Sequence, residues 1–213
     1  VPELPEVETV RRQLAPELGG RSLSAARVHQ PDILLNLPSA RAFARAVVGR
    51  RVEAVDRRAK YLLFRLSGRV VLQVQLRMTG RFVLDESRPD PGEFDHIAAE
   101  LDLDDGRTLW YDDVRRLGGF KVLSQEGWRE DEARLGPEPL DGDFGPGELG
   151  EALAGRRAPV KNLLLDQGRV AGVGNIYASE SLHAAGLDPR RPGGELAAAE
   201  VERLHGALRH VLR

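Results

Sequence analysis

This sequence predicts an α+β fold: an antiparallel β-sandwich with flanking helices over residues 1–130, then an all-helical domain over residues 147–213. Three observations carry that prediction. Short strand-like runs separated by glycine and aspartate turns crowd the first part of the chain, the pattern of an antiparallel sandwich. Residues 134–147 (RLGPEPLDGDFGPG) are rich in glycine, proline and acids, so 131–146 reads as a linker. After residue 147 no strand signal follows, and the remaining stretches read as helices.

The elements follow in order. Pro5 to Leu18 is an amphipathic helix: Val7, Val10, Leu14 and Leu18 share a face, and Gly19-Gly20 supplies the stop. A second helix over 40–48 is ended by Gly49. Strands are expected at 23–28, 51–57, 61–66 and 70–78. In the last of these, Val70, Leu72, Val74, Leu76 and Met78 alternate with period 2, so one face is buried, and on this pattern alone Met78 belongs to the core. Asp104-Asp105-Gly106, between strand-like 97–103 and 107–111, predicts a hairpin. Helices are then expected at 147–154, 159–166, 175–185 and 195–213, with Val170 to Gly174 as a tight turn between two of them. The last helix meets no glycine, asparagine or proline stop and reads as cut in mid-helix.

Composition narrows the function classes. No apolar run reaches the ~18 residues needed to span a bilayer. No basic stretch followed by an apolar core opens the chain, so no signal peptide and no membrane partner are expected. Cysteine is absent, which excludes disulfides and cysteine-held zinc within these 213 residues and fits a reducing compartment, the cytoplasm or nucleoid. The net charge of −2 hides an uneven distribution. Residues 41–81 carry a net of +9, and residues 82–150 a net of −12. Such a basic segment is the footprint of a nucleic-acid-binding face, and equally of a solvated arginine-rich one.

Four segments, spread over nearly the whole chain, resemble the formamidopyrimidine-DNA glycosylase family: PELPEVETVRR (2–12), RRAKYLLF (57–64), LGPEPL (135–140) and GVGNIYASESLHAAGLDP (172–189). The first and last are highly specific. The opening ELPEVE favours this branch over the oxidised-pyrimidine glycosylases of the same superfamily, which usually open Pro-Glu-Gly-Pro-Glu. The resemblance implies a helix–two-turns–helix domain over 147–213 and a monomer acting on double-stranded DNA. The implied activity is excision of oxidised purines followed by strand nicking at the abasic site.

The resemblance also implies roles for particular residues. Pro2 matches the nucleophile. A terminal amine titrates near about 8, against about 10.4 for lysine, so more of it is unprotonated at neutral pH. A secondary amine gives an iminium with no N–H to lose, which stays cationic and draws electrons during elimination. Val1 precedes Pro2 here, and an acylated nitrogen is not nucleophilic. The expectation is that residue 1 reflects a GTG start codon and is removed as methionine. Glu3 matches the general acid/base; read alone, it is a first-turn glutamate favouring a helix dipole, a place Glu6 fills better.

Lys60 matches a lysine that reaches phosphate and damaged nucleotide; read alone, it blunts an edge strand. Met78, Arg115 and Leu117 match the side chains that fill the void left by an everted base; the family often has Phe where Leu117 stands. Lys161, Asn175 and Tyr177 match phosphate and sugar contacts. Gly172 and Gly174 would let backbone approach a phosphate at a helix start. The family continues with a four-cysteine zinc finger. A chain without cysteine cannot supply that site, so no metal or cofactor is expected within residues 1–213. Two alternatives stay open: an oxidised-pyrimidine glycosylase of the same superfamily, and a non-catalytic DNA-damage-binding fragment.

Overall fold

The computed structural model describes residues 2–90 and 92–213. They form two compact units. One is Pro2 with Glu6–Glu130; the other is Glu3–Pro5 with Asp131–Arg213.

The first unit is built on eight strands: β1 (Leu23–Val28), β2 (Val52–Arg58), β3 (Tyr61–Leu66), β4 (Val70–Gln75), β5 (Gly80–Asp85), β6 (Ile97–Leu103), β7 (Thr108–Asp113) and β8 (Gly119–Ser124). They pair into two four-stranded antiparallel sheets, ordered β1-β6-β7-β5 and β2-β3-β4-β8. One core lies between the sheets, filled by Phe64, Leu72 and Val74 from one and Leu101, Leu109 and Tyr111 from the other. The helix α1 (Leu4–Leu18) adds Val7, Leu14 and Leu18, and α2 (Ala40–Val47) adds Phe43 and Val47. Both helices end as expected on left-handed glycines, Gly20 at φ 84° and Gly49 at φ 78°.

Two strands, β5 and β8, and one helix, α3 (Gln125–Glu132), go beyond the expected elements. The strand expected over 70–78 stops at Gln75, because Arg77 adopts a left-handed φ of 52° that no extended run accommodates. Met78 therefore lies in a turn and is exposed, not in the core. The expectation of one buried face on β4 is also corrected, since Val71 and Gln73 are buried as well as Leu72 and Val74. The outer face of that sheet meets α3, whose Trp128 packs edge-on to Tyr61 at 6.2 Å and lies under the Arg65 guanidinium at 5.7 Å. With one buried apolar residue and a glycine in eight positions, α3 has no periodic signal to read.

The second unit is helical: α4 (Pro146–Leu153), α5 (Val160–Leu165), α6 (Asn175–Ala184) and α7 (Ala198–Val211). Leu153, Leu164, Leu182, Leu204 and Leu208 form its core together with Leu4. The stretch read as a linker is pinned to this unit. Gly136 N–H donates to the Gln167 carbonyl at 2.9 Å, the Ala171 N–H donates to the Pro137 carbonyl at 2.9 Å, and Arg209 Nη1 donates to the Pro139 and Asp141 carbonyls, each at 2.9 Å. A Cβ on Gly136 would stand 2.6 Å from the Arg169 carbonyl carbon, so glycine there marks close packing rather than slack. No helix among the described residues is long and apolar enough to cross a membrane.

Candidate active site

Glu3 is buried, whereas the other side chains expected at the site are half-buried or exposed. Its side chain is 1% exposed. Its Oε2 accepts the Gly174 N–H at 2.6 Å and the Tyr177 N–H at 3.4 Å, and its Oε1 accepts the Ile176 N–H at 2.9 Å. These are the first amides of α6, which no intrahelical carbonyl can satisfy. The helix start and its dipole thus hold a carboxylate of the same unit.

The two glycines before α6 make room for this arrangement. A Cβ on Gly174 would fall 2.3 Å from Glu3 Cδ, and one on Gly172 would fall 2.5 Å from Leu4 Cδ1. Gly172 also needs its left-handed φ of 92°, and its carbonyl accepts the Leu4 N–H at 3.2 Å. The groups that approach these glycines within the protein are Glu3 and Leu4. Gln167, which sequence reasoning missed, braces the turn. Its Oε1 accepts the Gly172 N–H at 2.9 Å, and its Nε2 donates to the Val173 carbonyl at 2.8 Å and the Leu165 carbonyl at 3.0 Å. A glutamine five residues before a Gly-x-Gly turn is too common to single out without coordinates.

Around the same helix start, Asn175 is exposed and Tyr177 half-buried. Lys161 lies half-buried in the first turn of α5. Pro2, half-buried, directly precedes Glu3 in the chain, and Val1 lies outside the described residues.

In the first unit, Lys60 occupies the two-residue turn between β2 and β3, half-buried, rather than a strand. Its neighbour Ala59 is buried with φ 52°. Arg57 orders this turn by donating from Nη1 to the Ala59 carbonyl at 3.0 Å, while its Nε meets Glu8 at 3.2 Å. Glu8 also binds Arg11 and Arg12 at 2.8 Å each, and the Arg11 guanidinium, with Arg12 and Arg57, holds its carboxyl down at about 2 from an ordinary 4.5. Part of the basic run is therefore a structural clamp behind Lys60.

The structure brings Met78 and Arg115 together, with Arg115 Nη1 3.5 Å from Met78 Sδ. Leu117 projects from the same loop as Arg115, the β7–β8 connection. Met78 is 42% exposed and Leu117 53%, high for apolar side chains of their size and unlike residues that serve a core. Among the described residues no three His, Asp or Glu side chains gather closely enough to hold a metal ion.

Residues 1–120 match the formamidopyrimidine-DNA glycosylase N-terminal domain, and residues 135–213 match the formamidopyrimidine-DNA glycosylase H2TH domain. The formamidopyrimidine-DNA glycosylase of Chloroflexus aurantiacus is 47% identical over all of this chain, which covers 76% of that protein. That of Moorella thermoacetica is 44% identical, again over all of this chain and 77% of that protein. Among solved structures, the MutM (Fpg) protein of Thermus thermophilus is 42% identical with a TM-score of 0.85, covering 99% of this chain and 74% of that one. Lactococcus lactis Fpg, in complex with an abasic site containing DNA, is 30% identical with a TM-score of 0.90, covering 99% of this chain and 76% of that one. With two family domains matched along most of its length and relatives this similar, the chain belongs to the formamidopyrimidine-DNA glycosylase family of base excision repair enzymes.

Proposed function

We propose that this chain excises oxidised purines, 8-oxoguanine and ring-opened formamidopyrimidines, from duplex DNA and then cleaves the strand at the abasic site. The observation that carries the reading is the Glu3 carboxylate, buried beside Pro2 in the chain and fixed by three backbone amides. A carboxyl so oriented serves proton transfer to one atom of a bound sugar, because proton transfer demands hydrogen-bond geometry first.

The reaction starts with a free Pro2 nitrogen, which attacks the anomeric carbon and expels the base. Glu3 takes up the proton lost from the attacking Pro2 nitrogen and passes it to the sugar ring oxygen as the ring opens, leaving an iminium on Pro2. The iminium draws electrons from the adjacent carbon after loss of a proton there, and the 3′ phosphate leaves; a second elimination releases the 5′ phosphate. Lys60 holds a phosphate near the lesion. Met78, Arg115 and Leu117 fill the vacated stack, where eversion costs a few kcal/mol. Lys161, Asn175 and Tyr177 grip the backbone on the helical side, a sequence-independent contribution. The work is placed in the cytoplasm or nucleoid, where such DNA lies.

Borohydride trapping on an abasic duplex tests the chemistry. With residue 1 removed so that the Pro2 nitrogen is free, the parent chain is expected to form a covalent adduct, Pro2→Gly to weaken it, and Glu3→Gln to suppress 8-oxoguanine excision more than incision at a preformed abasic site. Parental excision by Glu3→Gln would remove the assigned role of Glu3. Absence of any adduct from the parent would favour a non-catalytic damage binder.

A further inference from the structure

The two turns that carry Met78 and Leu117 are both strained. Arg77, before Met78, has φ 52°, and Arg116, before Leu117, has φ 49°. Non-glycine residues persist in this left-handed region only where surrounding contacts over-determine them.

Those contacts converge on one side chain outside the proposed chemistry. Asp113, the last residue of β7, is fully buried. Its Oδ1 accepts the Thr79 hydroxyl. Its Oδ2 accepts the Gly118 N–H at 2.9 Å and the Tyr111 hydroxyl at 3.2 Å. Thr79 Oγ1 in turn accepts the Arg115 N–H at 3.1 Å, and the Asp113 carbonyl accepts the Arg116 N–H at 3.1 Å. The approach is close enough that a Cβ on Gly118 would stand 2.0 Å from Tyr111 Oη and 2.9 Å from Asp113 Oδ2. Packing alone does not call for this, since an apolar side chain fills buried space at lower desolvation cost than a carboxylate. What a carboxylate adds is direction, and here it reaches both turns at once.

We propose that Asp113, acting through Thr79, is a positioning residue that locks the 76–79 turn and the 114–118 loop into one wedge, so that Met78, Arg115 and Leu117 enter the duplex together. The inference rests on the void-filling role given to those residues under the proposed function.

Thr79→Val keeps the shape and removes the hydroxyl; Thr79→Ser keeps the hydroxyl. Hydrogen exchange of the free chain is the first readout. Thr79→Val should speed exchange about tenfold in both 77–79 and 115–118, and Thr79→Ser should not, since the hydroxyl joins Asp113 to the Arg115 N–H across the two segments. Single-turnover assays are the second. Thr79→Val should lower 8-oxoguanine excision about tenfold while incision at a preformed abasic site, which needs no base everted, stays within about twofold. Asp113→Asn should behave likewise; if it does not fold, the two Thr79 variants still decide. Faster exchange confined to 77–79, or equal loss of both activities, would overturn the proposal. A working parent matched by Thr79→Val overturns this inference alone. A parent that neither excises nor incises overturns the proposed function and this inference with it.

Discussion

Gly174→Ala tests whether the grip on Glu3 matters to the reaction. The backbone at Gly174 is extended, with φ −123° and ψ −164°, so alanine is tolerated there without strain and the perturbation is purely steric. The new methyl would lie 2.3 Å from Glu3 Cδ and 2.5 and 2.6 Å from the two carboxylate oxygens. Carbon atoms pack at about 3.5–4.0 Å, so the carboxyl must retreat by roughly 1 Å or more. That retreat breaks the bonds from Gly174 and Ile176, now 2.6 and 2.9 Å. Hydrogen bonds to a charged group contribute roughly 1.5–3 kcal/mol each, so a stability loss of about 3 kcal/mol is expected by chemical denaturation. A 1 Å displacement of a catalytic group costs on the order of 100-fold in rate, so single-turnover 8-oxoguanine excision should fall by about that factor. The decisive assay is the double-mutant cycle. In a Glu3→Gln background, Gly174→Ala should slow excision no further, since both changes act on one group. Additive losses would show that the methyl disturbs something other than Glu3, and a parental rate would show that the close approach is irrelevant to catalysis.

Three further outcomes follow from the same geometry. Glu8→Gln should cost on the order of 1 kcal/mol at neutral pH once solvent screening is allowed for. Because the folded carboxyl is lowered to about 2 from 4.5, the parent's advantage should be full above pH 4.5 and vanish as pH falls towards 2; a pH-independent difference in urea midpoints would count against it. Gln167→Leu removes two bonds to the Gly172–Gly174 turn and a third to Leu165, and leaves the Val173 and Leu165 carbonyls short of a donor, so a loss of about 2–3 kcal/mol with slower excision is expected, and unchanged stability would refute the bracing role. If Leu117 inserts as proposed, Leu117→Phe exchanges an aliphatic side chain for one that stacks on bases, a gain of about 1–3 kcal/mol per stacked base, so 8-oxoguanine excision should accelerate severalfold; a slower variant would argue against insertion by this side chain.

Most of the sandwich was legible because its strands carry their own signals. β1 and β3 are alternating or apolar runs closed by turn residues, and the Asp104-Asp105-Gly106 hairpin turns on Gly106 at φ 90°. β5 and β8 were not legible, since GRFVLD and GFKVLS are six-residue segments bounded by loops whose shape depends on long-range bonds. The site was legible as a set of motifs but not as a geometry. Residues Glu3–Pro5 belong with Asp131–Arg213, although more than a hundred residues separate them in sequence. No local pattern announces that Leu4 completes a helical core while Val7, one turn later, completes a sandwich core. The Gly-Val-Gly run marks a place of close approach, but only coordinates show that Glu3 and Leu4 lie against it.

That identification changes how the helical unit must meet DNA. A helix start offers a few unsatisfied amides and a partial positive charge, and each N–H is strongly satisfied once. At α6 the amides of Gly174, Ile176 and Tyr177 are directed at Glu3. A phosphate placed on the same amides would have to displace a buried carboxylate and would sit against its charge. The two anions therefore do not share this helix start. Under the proposed function, phosphate contacts on the helical side fall instead to side chains: Asn175, exposed at the first position of α6, and Lys161, in the first turn of α5. This division follows from charge and from hydrogen-bond capacity. It explains why a glycine-rich turn, elsewhere a phosphate cradle, is here filled by a carboxylate.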